Sequence, residues 1–165
     1  MDNYLPKFKL KAGDLFPEFG LLNQHGKTVQ LQDIVSKWLV IFFYPKDNTP
    51  TCTKEACNLR DHFTQLLSHD VHLLGMSSDT VKSHRKFIDK FHLPYDLLVD
   101  ENNNLAKTLG VYSKKKFMGI VFQGIHRSTF ILNSEKKIHE IIYPVVSAKH
   151  QEQILESISN PIFLS

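Results

Sequence analysis

The two cysteines of this 165-residue chain, Cys52 and Cys57, are the residues whose type and spacing point most directly to chemistry. They follow a continuous apolar run at residues 38–44 and open an amphipathic stretch, which predicts a strand, a short loop and then a helix. Cys52 falls in the first turn of that helix, where unpaired backbone N–H groups favour a thiolate. A second thiol five residues later offers an oxidised Cys52 sulfur a partner. The pair therefore indicates nucleophilic or redox chemistry at a thiol.

The start of a helix does not fully ionise a thiol on its own. A free cysteine has a pKa of about 8.5, and a helix N-terminus stabilises an anion by ~0.3–1 kcal/mol, at most about 2. That is roughly 1.5 pK units at best. A cation is therefore expected beside Cys52, and the candidates are Lys46, Lys54 and Arg127. We favour Arg127, because its charge is fixed and its planar fork can hold both a thiolate and an incoming oxygen.

The predicted helix keeps the two sulfurs apart. Five helical residues rise ~7.5 Å and turn about 140°, which places the two Cα atoms roughly 8–9 Å apart. A disulfide needs a Cα separation of about 4.4–6.8 Å. A bond between Cys52 and Cys57 therefore requires the first turn or two of the helix to unwind.

Other interpretations of the cysteines are open at this point. Taken alone, each could be a buried and chemically inert side chain. Their spacing is not the C-x-x-C of ordinary thioredoxin-type motifs. A zinc site would need two further ligands at a suitable spacing, and the nine histidines are scattered along the chain, so we expect no metal.

The elements around the cysteines predict an α/β fold. The apolar run at 38–44 is typical of a strand buried on both faces of a sheet. One apolar stripe indicates that a single helix continues past the cysteines, through Cys52, Ala56, Leu59, Phe63, Leu66 and Leu67. Further along we predict strands at 71–76 and 95–99, helices at 81–91, near 104–110 and at 148–158, and a hairpin of 128–132 with 137–143. This order predicts a thioredoxin-like mixed sheet flanked by helices.

Length and composition favour a soluble globular protein over a membrane or nucleic-acid-binding protein. The 165 residues are expected to form one domain, with its core at about 8–157 and a short tail at 159–165. The net charge of +3 is mild, and the one run of lysines, at 114–116, is interpreted as a solvated loop. The start of the chain lacks the apolar stretch of a signal peptide, and two cysteines suit a reducing cytoplasm. No apolar run is long enough to span a membrane.

The residues around the cysteines resemble the active-site signature of the peroxiredoxins. Pro45, Asp47, Thr49-Pro50, Cys52-Thr53 and Glu55-Ala56-Cys57 are similar to the pattern P-x-D-x-T-P-G-C-T-x-E-x-C of the bacterioferritin-comigratory-protein (PrxQ) branch. The segment at 124–130 resembles the part of the family that carries its catalytic arginine. The similarity covers roughly residues 8–157.

This resemblance implies a thiol-dependent peroxidase for hydrogen peroxide and organic hydroperoxides. Cys52 corresponds to the cysteine that attacks the peroxide and becomes a sulfenic acid, and Cys57 to the cysteine that resolves it as an intramolecular disulfide. Thr49 would hydrogen-bond the peroxide, Arg127 would stabilise the thiolate and the leaving oxygen, and Pro45 would shield the thiolate. The family uses no metal or other cofactor and is recycled by a thioredoxin- or glutaredoxin-like reductant. A monomer is expected.

Two features depart from the family's pattern: Thr51, and the tail at 159–165, which runs past the family's closing helix. Thr51 stands where the family usually has glycine, and a β-branched residue resists a positive φ, so the loop would relax or strain if one were needed. The alternatives are a general thiol–disulfide oxidoreductase on the same fold and a redox-sensing thiol switch. Repeated turnover with a recycling reductant separates a peroxidase from a sensor.

Overall fold

The computed structural model describes residues 4–159 and contains nine β-strands and five α-helices in that range. The strands are β1 (Gly20–Leu22), β2 (Thr28–Gln30), β3 (Trp38–Phe43), β4 (Val71–Ser77), β5 (Asp96–Val99), β6 (Tyr112–Phe117), β7 (Ile120–Ile125), β8 (Ser128–Leu132) and β9 (Ile138–Ile142). The helices are α1 (Pro50–Asp61), α2 (Phe63–Ser68), α3 (Val81–Phe91), α4 (Asn104–Leu109) and α5 (His150–Ser159).

A five-stranded sheet of order β5-β4-β3-β8-β9 forms the centre. β3 pairs in parallel with β4, and β4 pairs in parallel with β5. On the other side of β3, β8 pairs antiparallel with β3 and also with β9. The strands β1–β2 and β6–β7 form two separate hairpins. The predicted mixed sheet flanked by helices is confirmed.

Strand β3 separates two hydrophobic clusters because successive side chains point to opposite faces. Leu39, Ile41 and Phe43 join the cluster that α4 covers. The other face of β3 packs into the cluster that contains Cys52 and helices α1, α3 and α5. All six residues of β3 are buried, as the continuous apolar run predicts.

The helix predicted from Cys52 to Leu67 is in fact two helices, α1 and α2, with a break at His62. The His62 side chain provides the reason. Its Nδ1 donates to Asn58 O at 2.9 Å, the carbonyl that would accept the His62 backbone N–H in a continuous helix. That N–H turns to Arg60 O instead. The apolar positions keep the helical spacing on both sides of His62, so their pattern could not indicate the break.

The interpretation of residues 114–116 as a loop is wrong, because they lie in strand β6 of the β6–β7 hairpin. Met118 and Gly119 form its two-residue turn, with φ of 51° and 82°. Two-residue hairpins that need positive φ at both positions usually carry Asn-Gly or Asp-Gly, so the methionine concealed the turn.

The other strands and helices predicted from the sequence lie at the predicted places. Helix α3 has the predicted bounds, and α5 ends at Ser159. The tail predicted beyond that residue, and residues 1–3, lie outside the described residues. None of the helices in residues 4–159 is long and apolar enough to cross a membrane.

Candidate active site

The loop between β3 and α1 is held by the buried carboxylate of Asp47. Tyr44 at the end of β3 donates its hydroxyl to Asp47 Oδ1 at 2.6 Å, and Ser83 on α3 donates to Oδ2 at 2.9 Å. His84 Nδ1 lies 2.7 Å from Oδ2. The backbone N–H of Asp47 donates to Asp79 at 2.8 Å. The loop is therefore fixed to the end of β3, to the segment after β4 and to α3 before it reaches the cysteine.

Asp47, Asp79 and His84 are also the group of described residues that could hold a metal ion, since their ligand atoms lie within 4.8 Å of one another. Hydrogen bonds already use these atoms. Tyr44 and Ser83 donate to Asp47, and the second nitrogen of His84 donates to a backbone carbonyl of β5 at 2.9 Å. The cluster is explained as an anchor of the loop.

Helix α1 begins without a side-chain cap. Thr49 is the N-cap residue, but its hydroxyl donates to Lys46 O at 2.9 Å and not to the helix. Pro50 follows at the first helical position, where a missing N–H costs nothing. The N-terminal amides near Cys52 thus remain available to an anion. Thr51 is helical, so threonine in place of the family's glycine strains nothing there.

Arg127 reaches Cys52 from the neighbouring strand. Ser128, the first residue of β8, pairs with Phe43, the last residue of β3, so the linker before β8 meets the loop after β3. Arg127 Nη2 donates to Cys52 Sγ at 3.0 Å. The Cys52 side chain is buried, with 2% of its surface exposed. The other two cation candidates, Lys46 and Lys54, are exposed.

The other arm of the same guanidinium binds Glu55. Arg127 Nη1 donates to Glu55 Oε1 at 2.6 Å, and the Glu55 side chain is completely buried. Burial raises the pKa of Glu55 to about 7, although Arg127 opposes the shift. For Arg127, burial favours the neutral form, but Glu55 and Cys52 outweigh it and raise its pKa. One cation therefore serves two groups of α1.

His150, at the start of α5, lies behind Glu55 with its ring buried. Its Nε2 is 2.7 Å from Thr129 Oγ1 and 3.6 Å from Glu55 Oε2, and its Nδ1 is 3.0 Å from Gln153 Oε1. Burial lowers the pKa of His150 to about 4, and the nearby Arg127 adds to the shift. Between pH 4 and 7 both Glu55 and His150 are mainly neutral, so their contact is not an ion pair.

A second cation near Cys52 comes from the hairpin. Lys115, the middle residue of the lysine run, points inward from β6 while its two neighbours are exposed. Its Nζ donates to Ile125 O at 2.7 Å. Burial and Arg127 lower the pKa of Lys115, and Cys52 opposes them. Strand alternation is the signal that would have found it.

Cys57 lies on the flank of α1, partly exposed, and neither cysteine forms a disulfide. Burial raises the pKa of the Cys57 thiol, so it remains protonated at neutral pH. The helix around it is tied down. Tyr95 donates to Ala56 O at 2.7 Å, Arg60 to Phe91 O at 2.8 Å, and the side chain of Asn58 bonds to the turn before α5.

The five residues named from the sequence thus lie at one place in the chain's fold. Cys52, Thr49 and Cys57 are on or before α1, Pro45 is exposed just after β3, and Arg127 arrives from the β7–β8 linker. Glu55, Lys115 and His150 were missed. Glu55 lies three residues after Cys52, which is a signal for a shared helix face. For His150 the sequence offers none, since nothing in it pairs α5 with α1.

Comparison with known proteins identifies the class. The model of the AhpC/TSA family matches residues 12–141. Peroxiredoxin Bcp of Escherichia coli is 37% identical over 146 residues, which cover 88% of this chain and 94% of that protein. PrxQ of Xylella fastidiosa superposes with a TM-score of 0.82 at 30% identity, over 90% of this chain and 95% of that one.

A third relative connects the fold with a reaction. The bacterioferritin comigratory protein of Xanthomonas campestris, studied for its alkyl peroxide reduction activity, superposes with a TM-score of 0.80 at 30% identity. The match covers 92% of this chain and 97% of that one. The chain therefore belongs to the AhpC/TSA family, and within that family it is a peroxiredoxin of the Bcp (PrxQ) group.

The pKa values of Glu55 and His150 predict opposite pH dependences of stability. Glu55 has an ordinary value of 4.5 and a folded value of about 7, so raising the pH across that range favours the unfolded state. His150 has an ordinary value of 6.5 and a folded value of about 4, so lowering the pH across that range favours the unfolded state.

We expect Glu55→Gln to remove the first dependence and expose the second. Urea unfolding of the variant should show stability that rises between pH 4 and 6.5, more steeply than in the wild type. A variant with the wild-type pH profile would contradict the assignment of a raised pKa to Glu55. His139→Asn, at a buried histidine on β9, is the control for general effects of core substitution.

Proposed function

We propose that this peroxiredoxin reduces hydrogen peroxide and organic hydroperoxides through Cys52. Cys57 and an external dithiol then return Cys52 to its reduced form. The observation that carries the proposal is the 3.0 Å hydrogen bond from Arg127 to Cys52 Sγ at the uncapped start of α1. A buried sulfur beside a fixed cation and free helix amides has the surroundings typical of a nucleophilic cysteine. The alkyl peroxide activity of the Xanthomonas relative supports the substrate class.

In the first step the Cys52 thiolate attacks the terminal oxygen of the peroxide. An S–O bond forms, the O–O bond breaks, and its electron pair leaves on the other oxygen as RO⁻, which takes up a proton to give ROH. The sulfur is oxidised to a sulfenic acid and the peroxide is reduced. Arg127 stabilises the negative charge as it moves from sulfur to the leaving oxygen.

Thr49 and Pro45 act on the incoming peroxide. The Thr49 hydroxyl donates a hydrogen bond to Lys46 O, so the lone pairs of its oxygen can accept a hydrogen bond from the peroxide O–H. This contact would aim the terminal oxygen at the sulfur. Pro45, which follows β3 directly, would shield the thiolate from water.

In the second step Cys57 attacks the sulfenic sulfur, an S–S bond forms, and water leaves. A thioredoxin- or glutaredoxin-like dithiol then reduces the disulfide by thiol–disulfide exchange and is itself oxidised. Because both sulfurs belong to α1, one chain suffices. We therefore propose a monomer that works in a reducing cytoplasm.

The first test is the intact mass of the reduced protein after one equivalent of hydrogen peroxide. We expect the wild type to lose two hydrogens and Cys57→Ser to gain one oxygen, because the mutant forms a sulfenic acid that it does not resolve. An unchanged wild-type mass would remove the peroxidatic role of Cys52. Oxidation without turnover by a thioredoxin-like donor would favour a redox-sensing switch.

Arg127→Ala should slow peroxide reduction by about 10²–10³-fold, the usual cost of losing a donor that stabilises developing negative charge. Stopped-flow oxidation of Cys52 measures the rate. Arg85→Ala is the matched control, because Arg85 is an exposed arginine on α3 whose guanidinium donates to Gln24 O. A rate in Arg127→Ala close to the wild-type rate would transfer the role to another cation, with Lys115 the first candidate.

Tyr95→Phe should speed disulfide formation after the sulfenic acid appears. The hydroxyl of Tyr95 holds Ala56 O, next to Cys57, and α1 must unwind there for the sulfurs to meet. One lost hydrogen bond lowers the cost of opening by about 0.5–1.5 kcal/mol, or roughly 2- to 10-fold in rate.

Quenched-flow alkylation of Cys57 measures this rate, with Tyr143→Phe, at a partly exposed tyrosine, as the control. Hydrogen exchange should also show weaker protection of the amides at 52–60 in the oxidised protein. Equal protection in both redox states would exclude local unwinding.

A further inference from the structure

The contact between Glu55 and His150 has no role in the proposed steps at Cys52 and Cys57. Both side chains are completely buried, and Glu55 Oε2 lies 3.6 Å from His150 Nε2. Oε2 has no hydrogen-bond partner among the described residues, although it is a buried carboxyl oxygen. A buried oxygen of this kind is costly unless a proton neutralises it.

The hydrogen bonds around His150 fix its tautomer. Gln153 Oε1 accepts from the backbone N–H of Val146, so Gln153 turns its oxygen toward His150 Nδ1, and Nδ1 must carry the hydrogen. The neutral ring then has a bare Nε2 that accepts from the Thr129 hydroxyl. A hydroxyl can rotate, so Thr129 can donate to the bare nitrogen or accept from a protonated one. The site accommodates one proton on either Glu55 Oε2 or His150 Nε2.

The charge of Cys52 affects this proton through Arg127. The guanidinium lies 2.6 Å from Glu55 Oε1 and 3.0 Å from Cys52 Sγ, so a thiolate and a carboxylate compete for one cation. While Cys52 is a thiolate, it takes up part of the charge of Arg127, and the protonated form of Glu55 is favoured. Once the sulfur becomes neutral, the whole charge of Arg127 acts on Glu55 and favours the carboxylate.

We propose that Glu55 and His150 together store one proton, which they release when Cys52 is oxidised and which balances the proton taken up by the leaving alkoxide. The inference rests on the proposed function and deepens it. Neither residue touches the peroxide, so both are positioning residues that act through Arg127 and solvent. The unwinding of α1 that brings Cys57 to Cys52 gives the buried proton its way out.

The reaction balances with this proton. The reduced state contains the Cys52 thiolate, the Cys57 thiol and the stored proton. With ROOH these give the disulfide, ROH and water, and Glu55 is left as a carboxylate. Without a store, the same reaction consumes one proton from bulk solvent.

The surrounding charges agree with a store on this pair. The titratable and charged groups that face it are Arg127 before β8 and Tyr95 before β5, while Cys52 and Lys115 face Arg127. Burial and the nearby Glu55 raise the pKa of Tyr95 well above its ordinary value, so it stays neutral. With the pKa of Glu55 at about 7 and that of His150 at about 4, the proton lies mainly on Glu55.

The test counts protons taken from a pH indicator per disulfide formed when hydrogen peroxide is added to the reduced, weakly buffered protein. The pH is set one unit below the Glu55 pKa of about 7, and thiolate absorbance is used to verify that Cys52 is ionised. The wild type should take up less than half a proton. Glu55→Gln, which has no proton to release, should take up about one.

His150→Asn should also take up close to one proton, because the amide of asparagine can donate to Oε2 and hold Glu55 as a carboxylate. His139→Asn is the control at a buried histidine away from Arg127 and should behave as the wild type. Equal uptake in wild type and Glu55→Gln, at any value, would overturn the proposal. The proton count needs only one oxidation of Cys52. A protein that forms the disulfide but does not turn over would therefore refute the peroxidase cycle, while the proton count would still test the proton store.

Discussion

The site depends on one guanidinium that two groups of the same helix share. Arg127 lies between the sulfur of Cys52 and the carboxyl of Glu55, and only the antiparallel pairing of β8 with β3 brings it there. Because each face of β3 packs into a different hydrophobic cluster, a slip of this register by one residue would exchange the two faces and disrupt both clusters. The position of this charge beside Cys52 is therefore set by the packing of the whole sheet, and not by the loop that carries the cysteine.

The anchors of this region divide into a rigid set and a releasable set. Asp47 ties the loop before α1 to three elements, and Asn58 and Arg60 tie the end of the helix. The first turn of α1, with Cys52, has no side-chain cap. A helix with a firm end and a weakly held beginning suits the proposed site, which is preorganised for attack and then opens locally. The break at His62 separates α1 from α2.

The sequence predicted the parts of the site that are local or carried by a motif. The position of Cys52 at a helix start and the need for a cation followed from chain order and electrostatics, and the choice of Arg127 from its chemistry. The contact of Glu55 with His150 could not be predicted, because it depends on how α5 packs against α1, across nearly a hundred residues. The β6–β7 hairpin was missed because Met118 occupies a turn position where asparagine or glycine is expected. Long-range packing and unusual turn residues account for both omissions.

The pleat of β6 has a consequence for how the chain can vary over evolution. Lys115 points toward the site and its two lysine neighbours point away, and Lys115 lies opposite Phe122 in the hairpin. Deleting or inserting one residue in β6 would turn this amine to the opposite face and bring a neighbour inward. A change of two residues would restore the orientation. Length differences among descendants of this chain should therefore be tolerated in this hairpin in even steps, and a run of three lysines reduces the harm of an odd one, since any shift by one still presents an amine.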